Sequence, residues 1–302
     1  VASRLDAGKF FWLDLEDPTQ ERVDELGKQL KLHPLTVEDS MKFGQRSRYE
    51  DFPEYAALVT HGVDPEVTSG EHLLREVHMI ISGQWIVTVH RGPLKALDDV
   101  RARYDETETK SEQFLIYKIL DAISSTFFPV LERIDDDIDA IEDAVIANPD
   151  RDALQRIFSL KRDLVAMRRV VTPSRDVFAH HLERLNDLPG MEQDDSFYFR
   201  DLYDTLIRIA DLVDSYRDLL SGTTDLYLST VANRQGEVNK SLTIIATIFL
   251  PLSFLTGFFG QNFTFLTNHL ITSTATFWLL GIGLEVLAVV GFAVYFKTRR
   301  WM

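Results

Sequence analysis

From Ser241 through Leu284 the chain carries no Asp, Glu, Lys or Arg, although charged residues make up 26% of the whole. A helix that crosses a membrane needs about 20 apolar residues, so this stretch is too long for one span and long enough for two. It divides into a first span at 241–259, a polar connection at 260–276 and a second span at 277–296, the second interrupted by Glu285. A carboxyl group inside a membrane is costly, so Glu285 is expected to be protonated, hydrogen-bonded to a neighbouring helix, or part of a proton route, the first two being the structural readings.

The flanks set the orientation. Arg234 and Lys240 precede the first span, Lys297, Arg299 and Arg300 follow the second, and the connection has no base. Basic flanks stay on the cytoplasmic side, so both termini are expected there, with only 260–276 facing outward. The residues before the membrane are acidic, and the whole chain has a net charge of −15. That excess of acid argues against nucleic acid as a partner, because binding it needs a basic footprint. The absence of cysteine removes disulfides, thiolate nucleophiles and Cys-ligated zinc. The sequence begins at Val1, which leaves a processed N-terminal signal open. No transit sequence is visible, so a bacterial inner (plasma) membrane is the expected location.

Residues 1–110 read as an α/β domain. Phe10–Leu15 and Tyr55–Val59 are short apolar runs, and Thr19 is placed to cap an amphipathic helix over Thr19–Leu30. Val77–Ser82 and Trp85–His90 flank Gly83-Gln84, a hairpin pattern, and Pro93 opens a helix reaching Tyr104. Sheet order does not follow from these signals.

Residues 111–240 read as long helices. An acidic hairpin is expected over 112–185, with one helix from Glu112 to Ala147, a turn at Asn148-Pro149, and a second helix to about Leu185 that contains Pro173. Seven of the twelve residues from Glu132 to Asp143 are acidic. These read either as a solvated helix face or as a source of repulsion relieved by cations; position six of a calcium loop would be Ala140, which excludes an EF-hand. A stalk helix is expected over 191–240. Leu202, Leu206, Ile209, Val213, Tyr216, Leu220, Thr223, Tyr227 and Thr230 recur along it at spacings of four and three, a seam buried along one narrow stripe. No proline interrupts Met191 to Leu250, so stalk and first span are expected to be one helix.

Two spans cannot enclose an aqueous path, so a pore requires several subunits around an axis. Asn239, Leu242, Ala246, Leu250, Ser253 and Gly257 recur every three or four residues and present small, polar or modest side chains on one face. Such a face suits pore lining and equally suits packing between membrane helices.

The stretch Tyr227–Phe263, with Asn233, Asn239, Pro251, Gly257 and Gly260-Gln261-Asn262, resembles the CorA family of divalent-cation transporters. So do His33-Pro34-Leu35-Thr36-Val37-Glu38-Asp39 with Gln45-Arg46, and Tyr198-Phe199-Arg200-Asp201-Leu202-Tyr203-Asp204. The likeness runs from about residue 10 to the C-terminus. It implies an α+β membrane protein: an N-terminal cytoplasmic α/β domain, a long helical stalk or funnel and two C-terminal transmembrane helices, assembled as a homopentamer in lipid. The count of five rests on the resemblance alone.

The family ends its pore helix with Gly-Met-Asn, whereas this chain has Gly260-Gln261-Asn262. Asn262 offers a neutral amide carbonyl that can accept hydrogen bonds from the water shell of Mg²⁺, an ion that dehydrates reluctantly. Asn262 is therefore the expected selectivity ring, shaped by Gly260, with Gln261 either adding polar groups at the mouth or bracing the loop. Many magnesium-transporting relatives carry acids just after the signature, and Phe263–Thr276 has none, with Asn268 and His269 its notable polar groups. The related ZntB branch also varies the middle residue and is associated with zinc. An outward His269 repeated around a ring could bind Zn²⁺. The resemblance further implies a regulatory Mg²⁺ site between subunits, with Asp39, its neighbour Glu38, and Asp201 as ligands.

No phosphate-binding glycine loop, serine nucleophile elbow or zinc-hydrolase helix is present, so an enzyme is not expected. Three functions remain. One is a channel for Mg²⁺, passing Co²⁺ or Ni²⁺ as well, gated by cytoplasmic metal. The second is a Zn²⁺ transporter, with or without proton coupling, and the third a non-conducting membrane scaffold.

Overall fold

The computed structural model describes residues 5, 10–67, 70, 73–103, 111–189, 196–261, 263–265, 268–269, 273–299 and 301. Two compact units divide the chain, Val1–Leu226 and Tyr227–Met302. The division falls inside a helix, fourteen residues before the charge-free stretch begins at Ser241.

The first unit opens with β1 (Phe11–Glu16), α1 (Gln20–Gln29), α2 (Pro34–Asp39), β2 (Arg48–Asp51), β3 (Ala56–Val63), β4 (Leu74–Ile81), β5 (Trp85–His90) and α3 (Lys95–Arg103). Thr19 caps α1 by accepting a hydrogen bond from the Arg22 amide. The five strands form one sheet in the order β1-β5-β4-β3-β2, antiparallel throughout except for β1 beside β5. Every residue of β5 is buried, as is most of β3, so both faces of the sheet centre are covered and its strands are apolar without alternation.

The helices that follow are α4 (Glu112–Ser125), α5 (Phe127–Ala147) and α6 (Arg151–His181), which ends in a 3₁₀ turn, Leu182–Asp187. The expected helix from Glu112 to Ala147 is thus divided at Thr126. There Thr126 Oγ1 donates to the Ile123 carbonyl at 2.6 Å and accepts from the Val63 amide at 2.9 Å. The adjacent Gly62 makes that approach possible: a Cβ on it would stand 2.9 Å from Thr126 Oγ1 and 3.1 Å from the Ile123 oxygen. On α5, Val130, Ile134, Ile138, Ile141 and Val145 face the core, while Glu132, Asp135, Asp136, Asp139 and Asp143 are exposed. The acidic run is the solvated face of an amphipathic helix.

Helix α7 (Ser196–Phe259) runs from the first unit into the second, and α8 (Thr274–Thr298) completes the second. Of the expected seam, Leu202, Leu206, Ile209, Val213, Leu220 and Thr223 are buried, whereas Tyr216, Tyr227 and Thr230 are only half-buried. Among the described residues, three helical stretches are long and apolar enough to cross a membrane: Glu112–Ala147, Phe197–Phe259 and Thr274–Thr298. The apolar window of the first is 50% buried within the chain, and those of the other two are 0% buried. The first accordingly spends its apolar surface on the core of its own unit, whereas the other two leave theirs uncovered.

Three buried histidines punctuate the sheet. Both ring nitrogens of His90 face acceptors, Nδ1 the Gly92 carbonyl at 2.8 Å and Nε2 the Asp14 carboxylate at 3.2 Å, an arrangement that suits the doubly protonated ring. Burial opposes that charge, but the Asp14 partnership outweighs it and raises the pKa above 6.5. His61, whose Nδ1 lies 3.0 Å from Ser47 Oγ, is instead pushed down to about 4 by burial. Their pH effects therefore have opposite signs. The His90 contribution is full below about pH 6.5 and is lost as pH rises through its raised pKa; that of His61 is full above about 6.5 and is lost on acidification toward 4. Thermal unfolding of the full chain between pH 4 and 8 should show His90→Gln flattening the alkaline limb and His61→Gln the acid limb. Parallel pH profiles for both variants and the parent would refute the assignment.

Candidate functional site

The first group of candidate residues lies at the end of α2. His33 caps this short helix, its Nδ1 accepting from the Leu35 amide at 3.2 Å, and Pro34 occupies the first turn where its missing N–H costs nothing. Glu38 and Asp39 close the helix. Glu38 pairs with Lys42, one turn on, and Asp39 Oδ2 accepts from Arg48 Nη2 at 2.7 Å. The loop beyond is tied back by Gln45, whose side chain donates to the Asp39 carbonyl at 3.0 Å and to the Lys42 carbonyl at 2.5 Å.

Glu76 on β4 anchors that loop. Its Oε2 accepts from the amides of Gly44 and Gln45 at 2.6 and 3.1 Å, and its Oε1 lies 2.8 Å from His78 Nε2. Burial raises the Glu76 pKa, yet the bonds from His78 and Gly44 outweigh it and hold the carboxyl below its ordinary value. Gly44 has φ 93°, a left-handed conformation that glycine adopts freely. A cavity of about 20 Å³ lies among Thr36, Asp39, Arg48 and His78, space for about one water.

Asp201 stands on the first turns of α7. Its Oδ2 accepts from Tyr117 Oη at 2.9 Å; Arg208, a conceivable partner, instead lies over the Phe128 ring. Tyr117 is raised above the usual phenol range by burial and by Asp201. Asp121 is raised as well, first by burial and then by the nearby Asp201 charge, with Lys118 opposing. No three His, Asp or Glu residues among the described ones stand close enough to hold a metal ion, so the chain by itself does not assemble Glu38, Asp39 and Asp201 into a metal site.

The second group lies on α7 from Asn239 onward. Asn239, Leu242, Ala246, Leu250, Ser253 and Gly257 are all exposed. The less exposed residues of this stretch are Ile244, Thr247, Ile248, Pro251, Leu252, Leu255 and Phe259. Leu242 and Ile244 are two residues apart, about 200° around the helix, so the candidate lining and the covered stripe lie on opposite sides. Thr243 and Thr247 donate their hydroxyl protons to the carbonyls one turn back, Asn239 and Thr243, each at 2.8 Å. The hydroxyl oxygens remain free to accept.

The helix closes at the signature. The Gly260 amide donates to the Thr256 carbonyl at 2.9 Å and the Gln261 amide to the Phe258 carbonyl at 3.3 Å. A Cβ on Gly260 would stand 3.0 Å from the Thr256 oxygen, a contact that favours glycine. Gln261 is exposed. Asn262, the expected selectivity residue, lies outside the described residues. In the connection, the His269 ring stacks on Phe265 with centroids 5.1 Å apart. Glu285 has a hydrogen-bond partner, as expected: its Oε1 accepts from Thr256 Oγ1 at 2.9 Å.

The family resemblance marked Glu38, Asp39 and Asp201, and sequence spacing marked the α7 face. Neither marked Arg48, Glu76, Tyr117 or Asp121, which reach these groups through tertiary contacts. Nor did either mark Thr256 as the partner of Glu285, although a lone acid and a hydroxyl on neighbouring spans were a usable signal.

The pattern of the CorA-like Mg²⁺ transporter protein family matches residues 7–299. The cobalt/magnesium transport protein CorA of Thermotoga maritima is 34% identical over 93% of this chain and 80% of its own length. The zinc transport protein ZntB of Klebsiella pneumoniae is 25% identical over 99% of this chain and 90% of its own. Among solved structures, the complete CorA magnesium transporter of Methanocaldococcus jannaschii superposes with a TM-score of 0.81 at 24% identity, covering 96% of this chain and 91% of that one. That likeness places the fold: a soluble α/β part, a long helix and C-terminal apolar helices.

Proposed function

The chain belongs to the CorA-like Mg²⁺ transporter family, whose pattern it carries from residue 7 to residue 299, and from that premise we propose that it is a cation channel for Mg²⁺. It passes Co²⁺ and Ni²⁺ as secondary ions. Five copies surround the path in a bacterial plasma membrane, with both termini cytoplasmic, and α7 lines the axis through Asn239, Leu242, Ala246, Leu250 and Ser253. The observation that carries this reading is that these residues stay exposed on the side of α7 opposite its covered stripe. A stripe on one side and an open face on the other is what a helix between an outer neighbour and an axial path requires.

The ion enters along the membrane potential. An inside-negative potential acting on a dication supplies about 4.6 kcal/mol per 100 mV, so no chemical fuel is needed. Asn262 meets the hydrated ion with amide carbonyls, and a neutral ring holds it loosely enough for release. On the cytoplasmic side, Mg²⁺ held by Glu38 and Asp39 of one subunit and Asp201 of the next favours the closed arrangement. When cytoplasmic Mg²⁺ falls, the unscreened carboxylates repel and the open population grows.

Uptake into sealed proteoliposomes tests this. Mg²⁺ entry that follows an imposed potential and ignores a pH gradient is the expected result, with Co²⁺ entering as well. Zn²⁺ entry that follows the pH gradient would move the chain to the zinc reading, which the less identical relative supports more weakly. Absence of flux for every metal would leave a scaffold.

A further inference from the structure

Glu285 is the one charged residue type between Lys240 and Lys297, and it sits where a carboxyl group is costly. The second unit is built to give it a partner. The first part of α8, Phe277–Ile282, is π-helical, and the Gly283 amide reaches back five residues to the Trp278 carbonyl. A widened turn takes up an extra residue and rotates everything after it by about 100° relative to an uninterrupted α-helix. Glu285 follows two residues later. Gly283 suits that turn, because a Cβ there would stand 3.2 Å from the Trp278 oxygen.

The rotated side chain meets Thr256. Thr256 Oγ1 lies 2.9 Å from Glu285 Oε1 and also 2.8 Å from the Leu252 carbonyl of its own helix. The Thr256 carbonyl in turn accepts from the Gly260 amide, the last bond to the residue four back before the chain leaves the helix at the signature. A path of two contacts therefore runs from the outer helix, through one threonine, to the glycine that shapes the mouth.

We propose that Glu285 is a positioning residue for the ion path: aimed by the π-helical turn, it holds Thr256 and thereby sets where the pore helix ends at Gly260-Gln261. This rests on the reading of that signature as the ion-selecting mouth. Neither the arrangement of the path nor the identity of the ion requires a carboxyl group on the second span, so the device is a property of this chain's own pair, Thr256 and Glu285.

The test is a double-mutant cycle on the full chain in proteoliposomes, reading the Mg²⁺ concentration for half-maximal uptake and the ratio of Mg²⁺ to Ca²⁺ uptake. Interhelical hydrogen bonds in membranes are worth enough to shift such a quantity about three- to tenfold. Glu285→Leu and Thr256→Val should each shift both readouts by that amount, and the double variant by no more than either single one. Glu285→Gln, which keeps a group able to bond the hydroxyl, should behave as the parent. Thr256→Val preserves shape, so it reads the contact even where Glu285→Leu assembles poorly. Unshifted single variants, or a double variant equal to the product of the two, would overturn the inference. Asn262→Ala serves as the control: if it conducts like the parent, the signature reading falls; if it is inactive while 256 and 285 act independently, only this inference falls.

Discussion

Asn262→Ala is expected to reduce Mg²⁺ uptake by at least about 100-fold while leaving the oligomer intact. The reasoning starts from the ion. Mg²⁺ keeps its water shell reluctantly exchanged, so a filter that handles it must hydrogen-bond the shell through acceptors placed around the axis. A hydrogen bond from such a polarised water is worth about 1 kcal/mol or more, and substitution in a ring removes one from every subunit at once. Even partial additivity then exceeds the 2.7 kcal/mol that corresponds to about 100-fold. Asn262→Gln keeps the amide but moves it by a methylene, so it should retain flux and lose discrimination between Mg²⁺ and Ca²⁺. The measurement is initial uptake of each ion into proteoliposomes at fixed potential. Undiminished uptake by the alanine variant would remove Asn262 from the filter.

The elements legible in the sequence are those set by near neighbours. Thr19 caps α1, Gly83-Gln84 turns β4 into β5, and the spacing from Leu202 to Thr223 marks the buried stripe of α7. Each depends on residues within a turn or two of one another. What escaped depends on distant partners. β1 lies parallel to β5, pairing Phe11 with Trp85, and no local signal in either strand names the other. The break at Thr126 is imposed by Gly62, more than sixty residues away, which lets β3 reach the helix backbone. At the candidate site the same rule applies. The small-residue face of α7 and the isolated Glu285 stand out by composition, but the contact between Thr256 and Glu285 depends on a π-helical turn that no residue preference announces. Likewise Glu76 reads as an ordinary strand acid until the Gly44 and Gln45 amides are found on it.

Neutralising Asp39 and Asp201 together is expected to raise the cytoplasmic Mg²⁺ needed for half-inhibition by at least about tenfold, with maximal uptake unchanged. Both carboxylates already have partners within the chain: Arg48 holds Asp39 at 2.7 Å, and Tyr117 holds Asp201 at 2.9 Å. A metal bridging two subunits must therefore compete with a guanidinium at one end and only with a neutral phenol at the other. The asymmetry makes the two single variants unequal. Asp201→Asn keeps an acceptor for Tyr117 and loses mainly the charge offered to the ion, so its effect reports metal binding. Asp39→Asn also frees Arg48, whose cation then remains beside the site and repels Mg²⁺, so it should cost more. Arg48→Gln has the opposite sign: with its competitor gone, Asp39 is free for the ion, and half-inhibition should move to lower Mg²⁺. Because exposed ion pairs are worth about 0–1 kcal/mol, that gain is limited to roughly fivefold. Proteoliposomes loaded with graded internal Mg²⁺ and assayed for initial uptake would give all five midpoints, parent included. Identical midpoints for the parent and the double variant would refute the intersubunit site. A shift of Arg48→Gln in the same direction as Asp39→Asn would mean that the ion pair builds the site and does not compete for it.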